Sequence, residues 1–294
     1  MMSMHIALFG KPFYEKHRDS VRQVLDRVAE IDPKALLFDG FRHELEKYME
    51  TPKSLGRFSS ASDLDGIDLL ITLGGDGTFL ESVSYAAEKG IPILGINTGT
   101  LGFLSNISTD HINEALDAVI AGKTWIDERS VLHVEAEGVD LGEFPYALNE
   151  AAIHKRKTSS MVVVDVHRNE KFVNKYWADG LIVSTATGST AYNLSAGGPI
   201  ISPSSDVAII TPIAPHNLTN RPLVIPLNGE ITLAASGRDA SFLLSLDSNS
   251  FRLKPSAVVT IKPAPFKVKL LNMEDQNFFN TLRSKMHWGV DPRG

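Results

Sequence analysis

Gly74, Gly75, Asp76 and Gly77 set three glycines around one carboxylate, immediately after the apolar run at 69–73. Without a Cβ, each glycine lets the backbone take positive φ and come close to a ligand. A carboxylate facing a phosphate-attracting loop is electrostatically awkward as a phosphate ligand. It makes more sense if Asp76 addresses a hydroxyl or a metal ion. Taken alone, the residues equally describe a glycine-rich turn that an Asp caps. The fingerprint G-x-G-x-x-G is met at Gly75 and Gly77 but broken by Leu80, so an ordinary Rossmann cofactor loop is not supported.

Further chemistry-bearing residues lie in the second half. Residues 178–198 are rich in glycine and small hydroxyls. They read as a ligand wall or as a Ser/Thr-rich strand and turn. Ser184, Thr185, Thr187, Ser189, Thr190 and Ser195 can hydrogen-bond sugar or phosphate oxygens, and Tyr192 can stack on a base or sit in the core. Asn149 and Glu150 interrupt an otherwise apolar strand, 146–153. They read as an edge-strand feature, or as ligands for a polyhydroxylated molecule. His154, Lys155, Arg156 and Lys157 offer positive charge to phosphates or form a solvated basic turn. His216 is a candidate general base or a structural turn residue.

These residues need elements to hold them. A first strand at 5–9 precedes a helix at 16–29 with Val21, Val24, Leu25 and Val28 at amphipathic spacing. A strand at 35–38, a helix marked by Phe41, Leu45 and Tyr48, and a polar loop or lid at 51–66 follow. The run 69–73 reads as a buried parallel strand, and Thr78 as the N-cap of a helix at 79–89. A strand at 91–97 then ends in a second glycine-bearing turn, 97–103. Asp76 therefore stands at a strand's carboxyl end and near a helix N-terminus, where open α/β sheets bind ligands. A helix with Ile112, Leu116, Val119 and Ile120 closes at Gly122. Beyond Trp125 the pattern turns mainly β, with strands at 130–136, 146–153, 161–166, 180–184, 230–235, 241–246 and 257–261. A strand at 267–271 and a helix bearing Phe278, Leu282 and Met286 end the chain.

The 294 residues, 43% hydrophobic and 22% charged, suit two globular domains. A net charge of -6 argues against a nucleic-acid or membrane-surface binder. The lack of cysteine excludes disulfides and thiolate chemistry. No H-E-x-x-H pattern, signal peptide or membrane-length apolar span is read, and a cytoplasmic location is expected.

Taken together, Gly74 to Gly77, Asn149 with Glu150, the segment 179–192 and the segment 211–222 occur in the order and context of the NAD kinases, which the chain resembles from its first strand to its last helix. The first motif is shared with diacylglycerol kinase-like and phosphofructokinase families; the later three discriminate. The resemblance implies an α/β domain with a parallel sheet at 1–104, carrying the glycine loop. It also implies a mainly β domain at 105–265, forming most of the dinucleotide pocket, and a segment 266–294 packing back on the first domain. It implies transfer of the γ-phosphate of ATP to the 2'-hydroxyl of the adenosine ribose of NAD, giving NADP, with a divalent ion, Mg2+, and subunits paired as dimers or tetramers. Carried over, Asp76 is the proton acceptor, with Gly74, Gly75 and Gly77 beside the nucleotide. Asn149 and Glu150 hold the adenosine part. Asp179, Thr190, Ala191, Tyr192, Asn193, Leu194, Ser195 and Ala214 complete the pocket, and the metal ligands are unassigned.

The chain departs from the family pattern in four places. Ala178 stands for a glycine, Ala186 for a proline, Trp177 for a residue that is often basic, and Asp247-Ser-Asn249 for Asp-Gly-Gln. Lys175 is a candidate to replace the missing charge. The rival readings are a kinase of the same motif group acting on a lipid or sugar, and a non-catalytic dinucleotide sensor.

Overall fold

The computed structural model describes residues 4–11, 15–99, 102–156, 161–274 and 276–286. The chain divides into two compact units, 1–128 with 268–294, and 129–267.

In the first unit, Ile6–Gly10 pairs in parallel with Leu36–Phe38 on one side and Leu69–Leu73 on the other, and Leu69–Leu73 pairs with Ile93–Asn97. Every residue of Leu69–Leu73 is buried, because helices cover both faces of such a sheet. The helix Arg18–Ile31 buries Val21, Val24, Leu25 and Val28, the stripe read from the sequence. Val268–Met273 lies parallel to Ile93–Asn97, Leu270 opposite Ile93, with Thr124–Arg129 on its far side. The last segment thus supplies an interior strand. The helix Ile112–Ile120 ends as read: Gly122 has φ +68°, its N–H donates to Val119 and that of Lys123 to Ala118.

Several expectations for this unit are corrected. Residues 51–66 are not one polar loop, because Gly56–Phe58 pairs in parallel with Leu36–Phe38 and Ala61–Leu64 forms a 3-10 turn under a Ser60–Asp63 capping box. The second helix spans only Asp39–Leu45 and leaves Tyr48 outside. The third begins at Asp76, not after Thr78, whose hydroxyl donates instead to the Lys11 carbonyl at 2.7 Å. Residues 105–128, read with the second domain, fall in the first unit, where Ile107–Ser108 pairs in parallel with Ile93–Asn97.

The second unit is a β-sandwich. One antiparallel sheet runs in the order Leu223–Pro226, Val207–Ile213, Gly180–Thr185, Glu150–His154, Phe242–Leu246, Asn249–Leu253. The other runs Lys171–Ala178, Val162–Arg168, Ile231–Gly237, Val258–Pro263, Leu132–Ala136, Tyr146–Ala147. Ile153, Leu181, Val183 and Leu244 from the first interdigitate with Val164, Val166, Leu233 and Val259 from the second in one core. The expected strand 146–153 is two strands in different sheets. Glu150–His154 lies between Gly180–Thr185 and Phe242–Leu246, so the edge-strand explanation of Asn149 and Glu150 does not hold.

Candidate active site

At the glycine loop the chain leaves Leu69–Leu73 and turns straight into the helix Asp76–Ala86. Gly74 has φ +152°, and a Cβ there would collide with the Thr78 side chain, so glycine is required for the turn. Gly75 and Gly77 take no positive φ, contrary to expectation, and a Cβ on either would meet nothing within 4 Å. The fold does not demand glycine at these two places. They leave bare backbone at a helix N-terminus, where amide groups lack helical partners and attract anions.

The Asp76 carboxylate is held by the second glycine-bearing turn. Oδ2 accepts from the Phe103 N–H at 2.9 Å, and Oδ1 from the Leu104 and Ser105 N–H groups, each at 3.0 Å. A Cβ on Gly102 would overlap Oδ1, so that glycine admits the carboxylate. Two of the three bonds fall on Oδ1, which leaves Oδ2 with spare acceptor capacity. Lys285 Nζ stands 3.7 Å from Oδ2. Among the described residues no group of three His, Asp or Glu side chains is placed to hold a metal ion. The acceptor capacity left on Asp76 Oδ2 suits a divalent ion carried mainly by ligand phosphates and water, as Mg2+ commonly is.

In the second unit the candidates gather on the outer face of the sheet that carries Glu150–His154. Strand alternation puts Glu150, Ala152 and His154 on this face, beside Ser184 and Ile182. Oε2 of Glu150 is buried without a hydrogen-bond partner. Burial, then the charge of Asp247, pushes the Glu150 carboxyl up to about 8, against the pull of the Tyr192 N–H. At neutral pH Glu150 is therefore mostly protonated and can both donate and accept a hydrogen bond. Asp247, at φ +47°, gathers the N–H groups of Leu148, Asn149 and Glu150 at 2.8–3.0 Å. Its burial still outweighs these bonds and raises its carboxyl to about 6. Each unit thus uses one Asp to fix three successive amides of a bend, and Asp247 thereby sets where Asn149 and Glu150 point.

The Tyr192 ring is 37% exposed and stacks on His154, with centroids 5.6 Å apart and planes 21° from parallel. It is not in the core. Burial, then Glu150 and Asp179, raise its hydroxyl. Burial lowers His154, disfavouring the charged imidazolium. Lys155 pairs with Asp179 at 2.6 Å, Arg156 donates to Ser241, and Lys157 lies outside the described residues. Asp179 forms the corner between two strands of different sheets, its N–H donating to Ile213, next to Ala214 at φ +43°.

Much of 178–198 is engaged in internal bonds. Gly180–Thr185 is wholly buried. Ser184 and Thr185 hydroxyls donate to the Asn149 and Leu148 carbonyls, and Ser189 bridges to Ile201. The amide of Asn193, which is buried, donates both its N–H groups to the Ser189 and Pro199 carbonyls and accepts from Thr211. Thr190, Ala191, Leu194 and Ser195 stay partly or fully accessible. Lys175 does not take over Trp177's missing charge, because it pairs across the strands with Asp165 at 3.3 Å. His216 is exposed, its N–H donating to the Trp177 carbonyl. The sequence motifs give no role to Asp247 or to the amides of 103–105. A lone Asp at a tight turn between two hydrophobic strands is the signal that would have found the former.

Family models described as the ATP-NAD kinase N-terminal domain and C-terminal domain match residues 24–124 and 148–273. An NAD kinase of Flavobacterium psychrophilum is 39% identical over 293 residues, 99% of this chain and 100% of that protein. One of Cytophaga hutchinsonii is 38% identical over 291 residues, 99% of this chain and 100% of that protein. Among solved structures, an NAD kinase from Archaeoglobus fulgidus in complex with ATP superposes with a TM-score of 0.72 at 25% identity, covering 97% of this chain and 99% of that one. The yeast NADH kinase complexed with NADH shares the fold, with a TM-score of 0.88 at 22% identity over 98% of this chain and 88% of that one. With both domain models matched and full-length relatives well above 30% identity, the chain belongs to the NAD kinase family.

Proposed function

We propose that the chain transfers the γ-phosphate of ATP to the 2'-hydroxyl of the adenosine ribose of NAD, yielding NADP and ADP. The observation that carries this reading is Asp76, an oriented carboxylate with one oxygen still able to accept, set among exposed glycines at a helix N-terminus. Phosphoryl transfer asks the protein mainly for alignment and charge neutralisation. Asp76 Oδ2 receives the hydroxyl proton as the ribose oxygen bonds to the γ-phosphorus and the bond to the ADP oxygen breaks. Such a base contributes on the order of a hundred- to ten-thousandfold.

Gly75 and Gly77 let the phosphates approach the backbone. Asn149 and a protonated Glu150 hold the adenosine hydroxyls and base, with Asp179, Tyr192, Ala214 and the accessible atoms of 190–195 around them. Mg2+, when bound, supplies charge to the donor phosphates. Exposed Phe172, Trp177, Leu223 and Val224 on strands at the sandwich edge support a homodimer or homotetramer. A cytoplasmic location is part of this reading; separately, no described helix is long and apolar enough to cross a membrane. The test is enzyme-coupled detection of NADP from purified protein, NAD, ATP and magnesium. Steady NADP formation supports the reading, and its absence at any substrate level overturns it.

A further inference from the structure

The last helix carries a lysine where stability gives little reason for one. In Phe278–Met286, Phe278, Leu282 and Lys285 follow the i, i+4, i+7 spacing that puts them on one face. Leu282 is buried and anchors the helix. Phe278 meets the Phe103 ring, centroids 6.4 Å apart. On this same face Lys285 holds Nζ 4.9 Å from the centre of the Phe103 ring and 3.7 Å from Asp76 Oδ2. Phe103 is thus the common support, its amide binding the same carboxylate oxygen that the ammonium faces.

An ion pair this loose, with both side chains about one-third exposed, contributes little to folding. Asp76 does not need it for orientation, since three amides fix the carboxylate already. Among the described residues the structure gives Lys285 no other acidic partner. Lys11, which follows the first strand, is held by Glu81 at 3.1 Å. A compact ammonium on a four-carbon stem is well suited to a shifting phosphate.

We propose that Lys285 is a donor-phosphate residue of the reaction: its ammonium contacts the oxygens of the phosphoryl group in transfer and neutralises charge that develops beside Asp76. The inference rests on the phosphotransfer reading of this site. The acceptor oxygen must lie within hydrogen-bond reach of Oδ2 to lose its proton there, and the phosphorus it attacks lies one bond beyond. A cation 3.7 Å from Oδ2 reaches that group by rotation of its stem alone. Loss of the cation then costs transition-state stabilisation and affinity for ATP, while the dinucleotide is held elsewhere.

The experiment compares Lys285→Met, Lys285→Gln and Lys285→Arg with the wild type in steady-state NADP formation, with melting temperatures taken on the same preparations. The expected result is a kcat at least tenfold lower in the Met and Gln variants and a raised KM for ATP. KM for NAD should stay within twofold, and Arg should recover most of kcat. If Met alone lowers the melting temperature, the Gln and Arg variants carry the comparison. The proposal is overturned if the neutral variants keep kcat and KM for ATP within twofold, if Arg performs no better than Gln, or if KM for NAD rises alone. A wild type that forms no NADP refutes the phosphotransfer reading instead, so the two failures are distinguishable.

Discussion

Two glycines in the loop have opposite reasons to exist, and substitution separates them. Gly77 lies in the first turn of a helix with open space where a Cβ would be. Alanine there should raise stability by about 0.5–1 kcal/mol through helix propensity, yet raise KM for ATP or NAD, because the methyl occupies the ligand's approach. Thermal melts and kinetics on one preparation check this; unchanged KM values would make Gly77 an ordinary turn glycine. Glu150 offers a second residue-scale test. Its carboxyl rises from the usual 4.5 to about 8 on folding, so the folded protein binds that proton more tightly than the unfolded chain. The stability involved is fully present below pH 4.5 and is lost as pH rises through 8. Glu150→Gln should remove that loss. Its melting temperature should gain on wild type steadily from pH 5 to pH 8, leaving Asp247's smaller share. A pH-independent difference between the two proteins would contradict a mostly protonated Glu150.

At the scale of elements, the two bends matter more than the strands they join. The bend at 102–105 can hold the Asp76 carboxylate because Gly102 makes room for it. Gly102→Ala should expel that carboxylate from its three amides and lower kcat by tenfold or more, with dinucleotide binding by calorimetry largely kept. Full activity would mean that the amides do not orient Asp76. Legibility from the sequence also divides at this scale. Leu69–Leu73 and Arg18–Ile31 were readable because burial on two faces or one face imposes a run or a 3.6-residue stripe. Gly56–Phe58 was not, since a three-residue edge strand carries no period. Val207–Ile213 was hidden by Pro212, which is tolerated because pairing with Leu223–Pro226 ends at Ile210, leaving the proline N without a ladder bond to make. Ser184, Thr185 and Asn193 have the composition of ligand groups, but their side chains bond to nearby carbonyls and to Thr211. Composition does not distinguish a hydroxyl facing a ligand from one facing a carbonyl.

For the whole molecule, the sequence made an α/β part and a β part legible through the change from helical to strand periodicity near Trp125. The boundary was harder, because Ile107–Ser108 and the helix Ile112–Ile120 still belong to the first unit's sheet. Motif order along the full chain carried the family assignment, and the site carries the chemistry. That chemistry centres on Asp76, so the most direct measurement is NADP formation by Asp76→Asn beside its affinity for NAD. Asparagine keeps the size of the side chain but cannot take the hydroxyl proton. NAD binding should stay within a few-fold of wild type, with turnover reduced by about two to four orders of magnitude. An Asp76→Asn protein that forms NADP at near wild-type rate would contradict it.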